Sequence, residues 1–128
     1  MANEISYQFQ VRLANGSLSD QYSSPSQRTD QTNARLIRNV QEIGTTEESL
    51  ETGDLATPGW SVWVNLEDID VNPTYYVEVG SYVSGTFYPF LKVEPGDQMV
   101  CKLGISTAQL YAKAYNGTVS LFYIIYDD

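Results

Sequence analysis

The chain has 128 residues, of which 42% are hydrophobic, and it carries a net charge of −9 with only seven Lys and Arg residues. This length suits one domain with its own core, and the charge excludes a dominant role in binding nucleic acid, where basic residues must neutralise phosphates. The chain contains no histidine and one cysteine, Cys101, which excludes histidine-dependent nucleophilic catalysis and an intramolecular disulfide.

Membrane insertion is not expected either. The acidic surplus disfavours association with anionic membranes, and no apolar run approaches the length of about 18 residues that a spanning helix needs. The first residues, Met1–Glu4, lack the basic and apolar regions of a secretory signal and lead directly into a strand.

Apolar and polar residues alternate along Ile5–Leu13, as in a half-buried strand whose successive side chains leave opposite faces. Asn15-Gly16 follows as a hairpin turn, and Leu18–Tyr22 is expected to return beside the first strand. This return strand lies within a polar stretch, residues 17–34, that we interpret as a loop or arm. Beyond the strand, Ser23–Asn33 has almost nothing to bury and is expected to be a long loop or an extended arm.

Three arginines, Arg28, Arg35 and Arg38, lie close together in and after this segment. They indicate either a local anchor for an acidic partner surface or a solvated loop. With Tyr22 and Trp63, they are the candidate partner-contact residues of the chain.

The next segment predicts a strand over Leu36–Ile43 and then a short helix. Thr45 and Glu48 have the spacing of a capping box, in which a threonine begins a helix and a glutamate three residues later reaches back to it. We expect one or two helical turns, ending near Glu51 before Gly53.

Trp60–Leu66 is predicted to be a strand with a tryptophan on each face. Trp60, Val62 and Val64 alternate with Ser61, Trp63 and Asn65, so we expect this strand to be central or covered on both sides.

An acidic loop follows, and Asp68, Asp70 and Asn72 match the opening of an EF-hand calcium loop. Oxygen ligands at alternate positions can converge on one hard cation. Pro73 and Val79 stand where such a loop requires glycine and glutamate, so the alternatives are a calcium site and a solvated acidic turn. No other cofactor is predicted.

The remaining strands are expected at short spacing. Pro89 within Phe87–Val93 indicates an edge strand or a bulge, and Glu94–Asp97 has proline and glycine placed for a type II turn. Gln109–Tyr115 and Thr118–Tyr126 are expected to form a closing hairpin around Asn116-Gly117. The fold class is all-β: an antiparallel β-sandwich or jelly-roll-like barrel of about eight strands with one short helix, in a single domain.

No residue pattern indicates catalysis, since the nearest candidates for paired carboxylates share one surface loop. We therefore expect no enzymatic activity. The aromatic residues suggest a different role, because exposed rings on a β-sandwich form either a sugar-binding platform or a surface covered by a neighbouring subunit. The residues concerned are Trp63, Tyr76, Tyr82 and Tyr88.

A succession of motifs covers most of the chain: Arg38–Thr45, Pro58–Trp60, Val64–Leu66, Tyr76–Gly80, Phe90–Asp97, Leu110–Ala114 and Val119–Tyr126. Together they resemble short all-β structural proteins encoded by tailed double-stranded DNA phages.

The resemblance implies a virion component made in the host cytoplasm, and most directly a head decoration or cement protein on the capsid surface. Such a protein binds the major capsid protein or other virion proteins, clamps neighbouring subunits and associates with itself, commonly as a trimer. A tail or head-fibre subunit is the alternative within the virion, and a carbohydrate-binding module is the alternative outside it.

Overall fold

The computed structural model describes residues 4–31 and 35–128, and the chain divides into two compact units, residues 1–34 and 35–128. The regular elements of the described residues are antiparallel β-strands and one 3₁₀ turn, Thr107–Gln109. The predicted all-β antiparallel class is therefore confirmed. The side chains of the hydrophobic core all come from residues 35–128 of the described ranges. The single domain expected from the sequence stays a prediction.

The N-terminal unit contains two separate pairs of strands. β1 pairs with β4. β2 pairs with β3, which confirms the predicted return strand. The strands are β1 (Glu4–Tyr7), β2 (Gln10–Asn15), β3 (Leu18–Ser23) and β4 (Gln27–Asp30). The segment predicted as a polar loop or arm thus contains two strands, while residues 32–34 of it lie outside the described ranges.

The alternating run Ile5–Leu13 is two strands rather than one. It breaks at Gln8-Phe9, where the Phe9 N–H donates to the Ser24 Oγ at 2.8 Å and the Ser24 N–H donates to the Phe9 carbonyl at 2.9 Å. These two bonds satisfy backbone groups at the break. Ser24 is the one buried side chain among residues 4–31.

The second unit is a sandwich of two four-stranded sheets. One sheet has the strand order β10-β7-β12-β5 and the other β6-β11-β8-β9. The strands are β5 (Leu36–Ile43), β6 (Glu48–Ser49), β7 (Pro58–Asn65), β8 (Val77–Val83), β9 (Thr86–Val93), β10 (Gln98–Lys102), β11 (Leu110–Ala114) and β12 (Val119–Asp127). The predicted central position of the Trp60 strand is confirmed, since β7 lies between β10 and β12.

The hydrophobic core lies between these two sheets. The last strand supplies one row of this core, because the alternate side chains Val119, Leu121, Tyr123 and Ile125 of β12 are fully buried. Large members of the core are Ile43, Trp63, Val77, Val79, Val93, Leu110, Val119, Leu121, Tyr123 and Ile125.

The predicted helix after residue 45 is wrong, because Glu48–Ser49 forms the short strand β6 beside β11. The Glu48 carboxylate reaches back as in a capping box, but it accepts from the Gly44 N–H at 3.2 Å. Leu50 is buried in the core. Tertiary pairing and burial therefore prevail over the local helix signal.

The predicted closing hairpin is also wrong, since β11 and β12 belong to different sheets. The connection between them has Asn116 at φ 70°, with its side-chain amide donating to the Thr74 carbonyl at 2.7 Å. Gly117 lies directly against the Tyr75 ring, where a side chain would not fit. The turn residues were identified correctly, but they carry the chain from one sheet to the other.

Pro89 lies on the edge strand β9, beside a bulge, as predicted. The register between β8 and β9 shifts at Val79/Gly80, where Gly80 faces Pro89. A Cβ at Gly80 would collide with the Tyr88 carbonyl oxygen and Pro89 Cα. The close approach of the two backbones therefore requires glycine at position 80.

We expect Gly80→Ala to lower the free energy of unfolding by about 2 kcal/mol, because backbone atoms must move to admit the methyl group. Gly104→Ala is the matched control, since a Cβ there meets nothing within 4 Å. Denaturant unfolding followed by tryptophan fluorescence measures both variants. Equal stability of the two variants would contradict this account of the bulge.

Candidate interaction surfaces

The predicted calcium ligands lie in a tight turn between β7 and β8. The Asp68 Oδ1 accepts from the Asp70 N–H at 2.9 Å, and the Asp68 carbonyl accepts from the Asn72 N–H at 2.8 Å. The Asn72 side-chain amide donates to the Glu67 carboxylate at 3.2 Å. The polar groups of this loop thus stabilise its own backbone, as aspartate and asparagine do in turns.

No group of three or more acidic, cysteine or histidine side chains is placed to hold a metal ion in residues 4–31 and 35–128. The geometry adds no support to the calcium hypothesis at Asp68, Asp70 and Asn72, which stays a prediction from sequence. Glu67 has a structural role, since its Oε1 accepts from the Ser120 N–H at 3.1 Å and so connects the loop to β12.

The three arginines have separate local partners. Arg28 on β4 lies 3.5 Å from the Glu4 carboxylate. Arg35 Nε lies 3.1 Å from the fully buried Asp127 carboxylate, and its guanidinium also donates to the Asp54 carbonyl at 2.8 Å. Arg35 therefore stabilises the start of β5.

Arg38 is different, because it lies on the outer face of β5, with its guanidinium 5.8 Å from the centre of the Phe122 ring. This is the distance of a cation–π contact. Of the three arginines, Arg38 therefore lies on an apolar surface that a partner can cover.

The assignment of Trp63 to a partner surface is wrong, since its side chain is fully buried. Its indole ring stacks on Tyr123 with 5.4 Å between ring centroids, and its Nε1 donates to the Ser61 Oγ at 2.8 Å. β7 turns Ser61, Trp63 and Asn65 toward the core. The more apolar row of this strand therefore faces outward.

That outward row was missed as a candidate surface. Trp60, Val62 and Val64 are half-buried on the outside of the sheet. The signal was present in the sequence, because each face of this strand carries a tryptophan and a strand covered on both sides was one of the two alternatives predicted. The polar row of a strand is usually assigned to solvent. That assignment is wrong for β7, because the polar groups of Ser61, Trp63 and Asn65 form hydrogen bonds inside the sandwich.

Tyr22 was expected at a partner surface and is 55% exposed on β3. Its ring lies 5.7 Å from that of Phe9, which is 52% exposed. Val11 lies directly opposite Tyr22 across the β2–β3 pair. An apolar face of this hairpin is thus open to solvent.

The outer face of the second sheet carries tyrosines and charges. Tyr76 stacks on Tyr115 at 4.6 Å, and Tyr82 stacks on Tyr111 at 4.4 Å between ring centroids. Lys92 Nζ lies 4.5 Å above the Tyr76 ring. Of the four residues proposed for an aromatic platform, Tyr76 and Tyr82 lie on this outer face and Trp63 does not. Tyr88 is 57% exposed at the sheet edge, but it pairs with Ser81, which lies opposite the buried Leu110, so it is on the other face from Tyr82.

Compared with models of protein families, with curated proteins and with solved structures, the chain gives no match. In the described ranges no helix has the length and apolar character needed to cross a membrane.

A pH-dependent interaction lies on the tyrosine-bearing face. The hydrogen bond between the Tyr115 hydroxyl and Glu78, followed by burial, raises the pKa of Tyr115 to about 12. The folded-state pKa lies above the ordinary value of 10.0. The stability that this group contributes is therefore complete below pH 10 and is lost as the pH rises through about 12.

We expect the free energy of unfolding of the wild type to fall more steeply between pH 10 and pH 12 than that of Tyr115→Phe, which lacks the ionising hydroxyl. Urea unfolding across this pH range measures the difference. Glu78→Gln is the second variant, and it should move the Tyr115 titration toward lower pH in an absorbance titration at alkaline pH. Identical pH dependence of wild type and Tyr115→Phe would contradict the assignment.

Proposed function

We propose that this chain is a phage virion structural protein, and specifically a head decoration or cement protein that binds the capsid surface and stabilises it. The observation that carries the proposal is the set of exposed apolar side chains on the β2–β3 pair and at Phe9 just before it, none of which belongs to the hydrophobic core of the described residues. The second unit supplies a cored sandwich that such a binding element can be built on.

The β2–β3 hairpin has one largely apolar face and one polar face. The largely apolar face also carries Asp20, opposite Leu13, and Asn15, opposite Leu18. The open apolar side chains of this region are Phe9, Val11, Leu13, Leu18 and Tyr22, each between 44% and 61% exposed. The opposite face carries Gln10, Arg12, Ala14, Ser19, Gln21 and Ser23. This two-sided pattern is that of a sheet with one face packed against another body.

A hairpin of this kind gains its stability from what covers it. An isolated two-stranded sheet is marginal in water, because it buries little apolar surface. The five exposed side chains present on the order of 500 Å² of surface, which matches the larger patches that mark protein–protein contacts. The major capsid protein is the proposed cover, and covering the face orders the hairpin and clamps the protein to the shell.

A non-enzymatic role is part of the proposal. The chain has no histidine, and the acidic side chain Glu67 and the buried Asp127 are engaged in holding backbone N–H groups. Neither carboxylate is placed as a free general acid or base. A virion role requires only folding, binding and resistance to dissociation.

Two alternatives have specific support. A tail or head-fibre subunit would use the same exposed hairpin against a different virion protein. A carbohydrate-binding module is favoured by the tyrosines on the second sheet, where the 57% exposed Tyr88 lies on the edge strand β9. Paired stacking of Tyr76 and Tyr82 with other tyrosines leaves less free ring surface for a sugar.

The location is tested by peptide mass spectrometry on purified particles of the phage that encodes this chain, separated into heads and tails. We expect the peptides in the head fraction at an abundance comparable with other surface proteins. Peptides confined to tails would move the chain to the tail or fibre class. Their absence from both fractions, together with glycan binding, would overturn the virion proposal.

The hairpin is tested by Val11→Ser/Tyr22→Ser, which removes a cross-strand apolar pair from the exposed face. We expect binding to purified heads to weaken about 100-fold, because two central apolar contacts are lost. Co-sedimentation of the protein with heads gives the dissociation constant.

The matched control is Arg12→Ser/Gln21→Ser, the neighbouring cross-strand pair on the polar face. It should bind heads within a few-fold of the wild type. Equal loss of binding by both double variants, or no loss by either, would contradict a role for the apolar face.

A further inference from the structure

The outer face of the sheet β10-β7-β12-β5 is apolar across all four strands. We call this surface the sheet face. Its cross-strand rows follow from the register: Val100–Val62–Ile124–Arg38, Gln98–Val64–Phe122–Val40 and Lys102–Trp60, with Tyr126–Leu36 at the same end. A sandwich sheet that faces water normally carries polar residues on its outer side.

The exposure of the sheet face increases toward its edges. Val100 on the edge strand β10 is 61% exposed, whereas Val40 and Leu36 on the opposite edge strand β5 are 53% and 56% exposed. The two central strands contribute the half-buried Trp60 and Phe122 and the buried Ile124, which is 7% exposed. The apolar surface is therefore continuous from one edge of the sheet to the other.

The charges of the sheet face set it apart from the rest of the chain. Arg38, Glu42 and Lys102 are its charged side chains, with a net charge of +1 on a protein whose net charge is −9. Two copies of an acidic protein repel each other over most of their surfaces. The sheet face is where two copies approach with the least like-charge repulsion.

We propose that the sheet face is a twofold interface between two copies of this chain. A standard interface covers about 800 Å² on each partner. Four strands spaced about 4.8 Å apart, with outward residues over about 20 Å of strand length, cover a footprint of about 400 Å², which places the contact among the smaller, weakly associating interfaces. Two such faces pack as the aligned sheets of a sandwich do, with side chains interdigitating.

The positions of Arg38 and Glu42 support pairing with a second copy over another partner. Both lie on the outer side of β5, four residues and about 13 Å apart. In a twofold contact, a residue pair that meets across the interface meets twice, once in each direction. Arg38 of each copy can therefore face Glu42 of the other. The contact thus forms two ion pairs, and Arg38 remains over Phe122.

This inference is independent of the proposed virion role. It predicts a dimer in solution, in place of the trimer that the sequence resemblance implies. Because the sheet face is used symmetrically, it closes after two copies and leaves the other surfaces of the protein free for further partners.

The test is sedimentation-velocity analysis of the full chain and of Val40→Lys/Val100→Lys over a wide concentration range. Both valines are already exposed, so lysine should not disturb the fold. We expect a wild-type dimer and at least about 100-fold weaker dimerisation of the variant, because four like charges enter one contact. Circular dichroism verifies that the variant is folded.

Val71→Lys/Val83→Lys is the matched control, since it adds the same charges at exposed valines that are 69% and 39% accessible outside the sheet face. It should dimerise as the wild type does. A monomeric wild type, a trimer that Val40→Lys/Val100→Lys does not affect, or equal dissociation by both double variants would each overturn the proposal.

Exchange of charges tests the twofold symmetry itself. Arg38→Glu and Glu42→Arg should each weaken dimerisation about tenfold, because like charges then face each other across the contact. The combined variant Arg38→Glu/Glu42→Arg should restore most of the wild-type affinity. A combined variant as weak as the weaker single one would contradict the reciprocal pairing.

Discussion

The architecture of the sandwich depends on the polar inner row of β7. Asn65 is almost fully buried, and its side-chain amide donates to the Tyr75 and Val93 carbonyls at 3.0 Å each, so that β7 is bonded to β9 in the opposite sheet. Its Oδ1 accepts from the Glu67 N–H at 2.9 Å. Loss of this side chain would leave buried carbonyls unsatisfied, which costs more than a hydrogen bond contributes.

The neighbouring residues of the inner row complete the same network. Ser61 donates to the Cys101 carbonyl at 2.8 Å and accepts from the Trp63 indole. Tyr123, stacked on Trp63, donates to the Glu51 carbonyl at 2.7 Å, and burial raises its pKa. Within the described ranges, no buried side-chain nitrogen or oxygen lacks a partner. The network therefore fixes which side of β7 faces the core, and the alternation of the strand then places Trp60, Val62 and Val64 outside.

The sequence predicted the elements that depend on local rules and failed where long-range contacts decide. The alternation on β12, the Glu94–Asp97 turn with Gly96 at φ 83° and the bulge near Pro89 were all predictable, because each follows from the backbone preference of its own residues. The capping-box helix and the closing hairpin were not. In each case the outcome depends on which distant strand the segment pairs with, and the local pattern carries no information on that partner.

The same contrast between local rules and long-range contacts holds for the candidate surfaces. Exposure of Tyr22 was predictable from its polar surroundings, whereas burial of Trp63 was not, because both rows of β7 carry a tryptophan and only Ser61 and Asn65 decide between them. A serine and an asparagine normally indicate the solvent-exposed face of a strand. They indicate the core here, since their hydrogen bonds to Cys101 and Val93 connect strands that are far apart in sequence. A strand that places its polar row inside leaves its apolar row on the outside, so the position of the apolar outer surface follows from the polar network of the core.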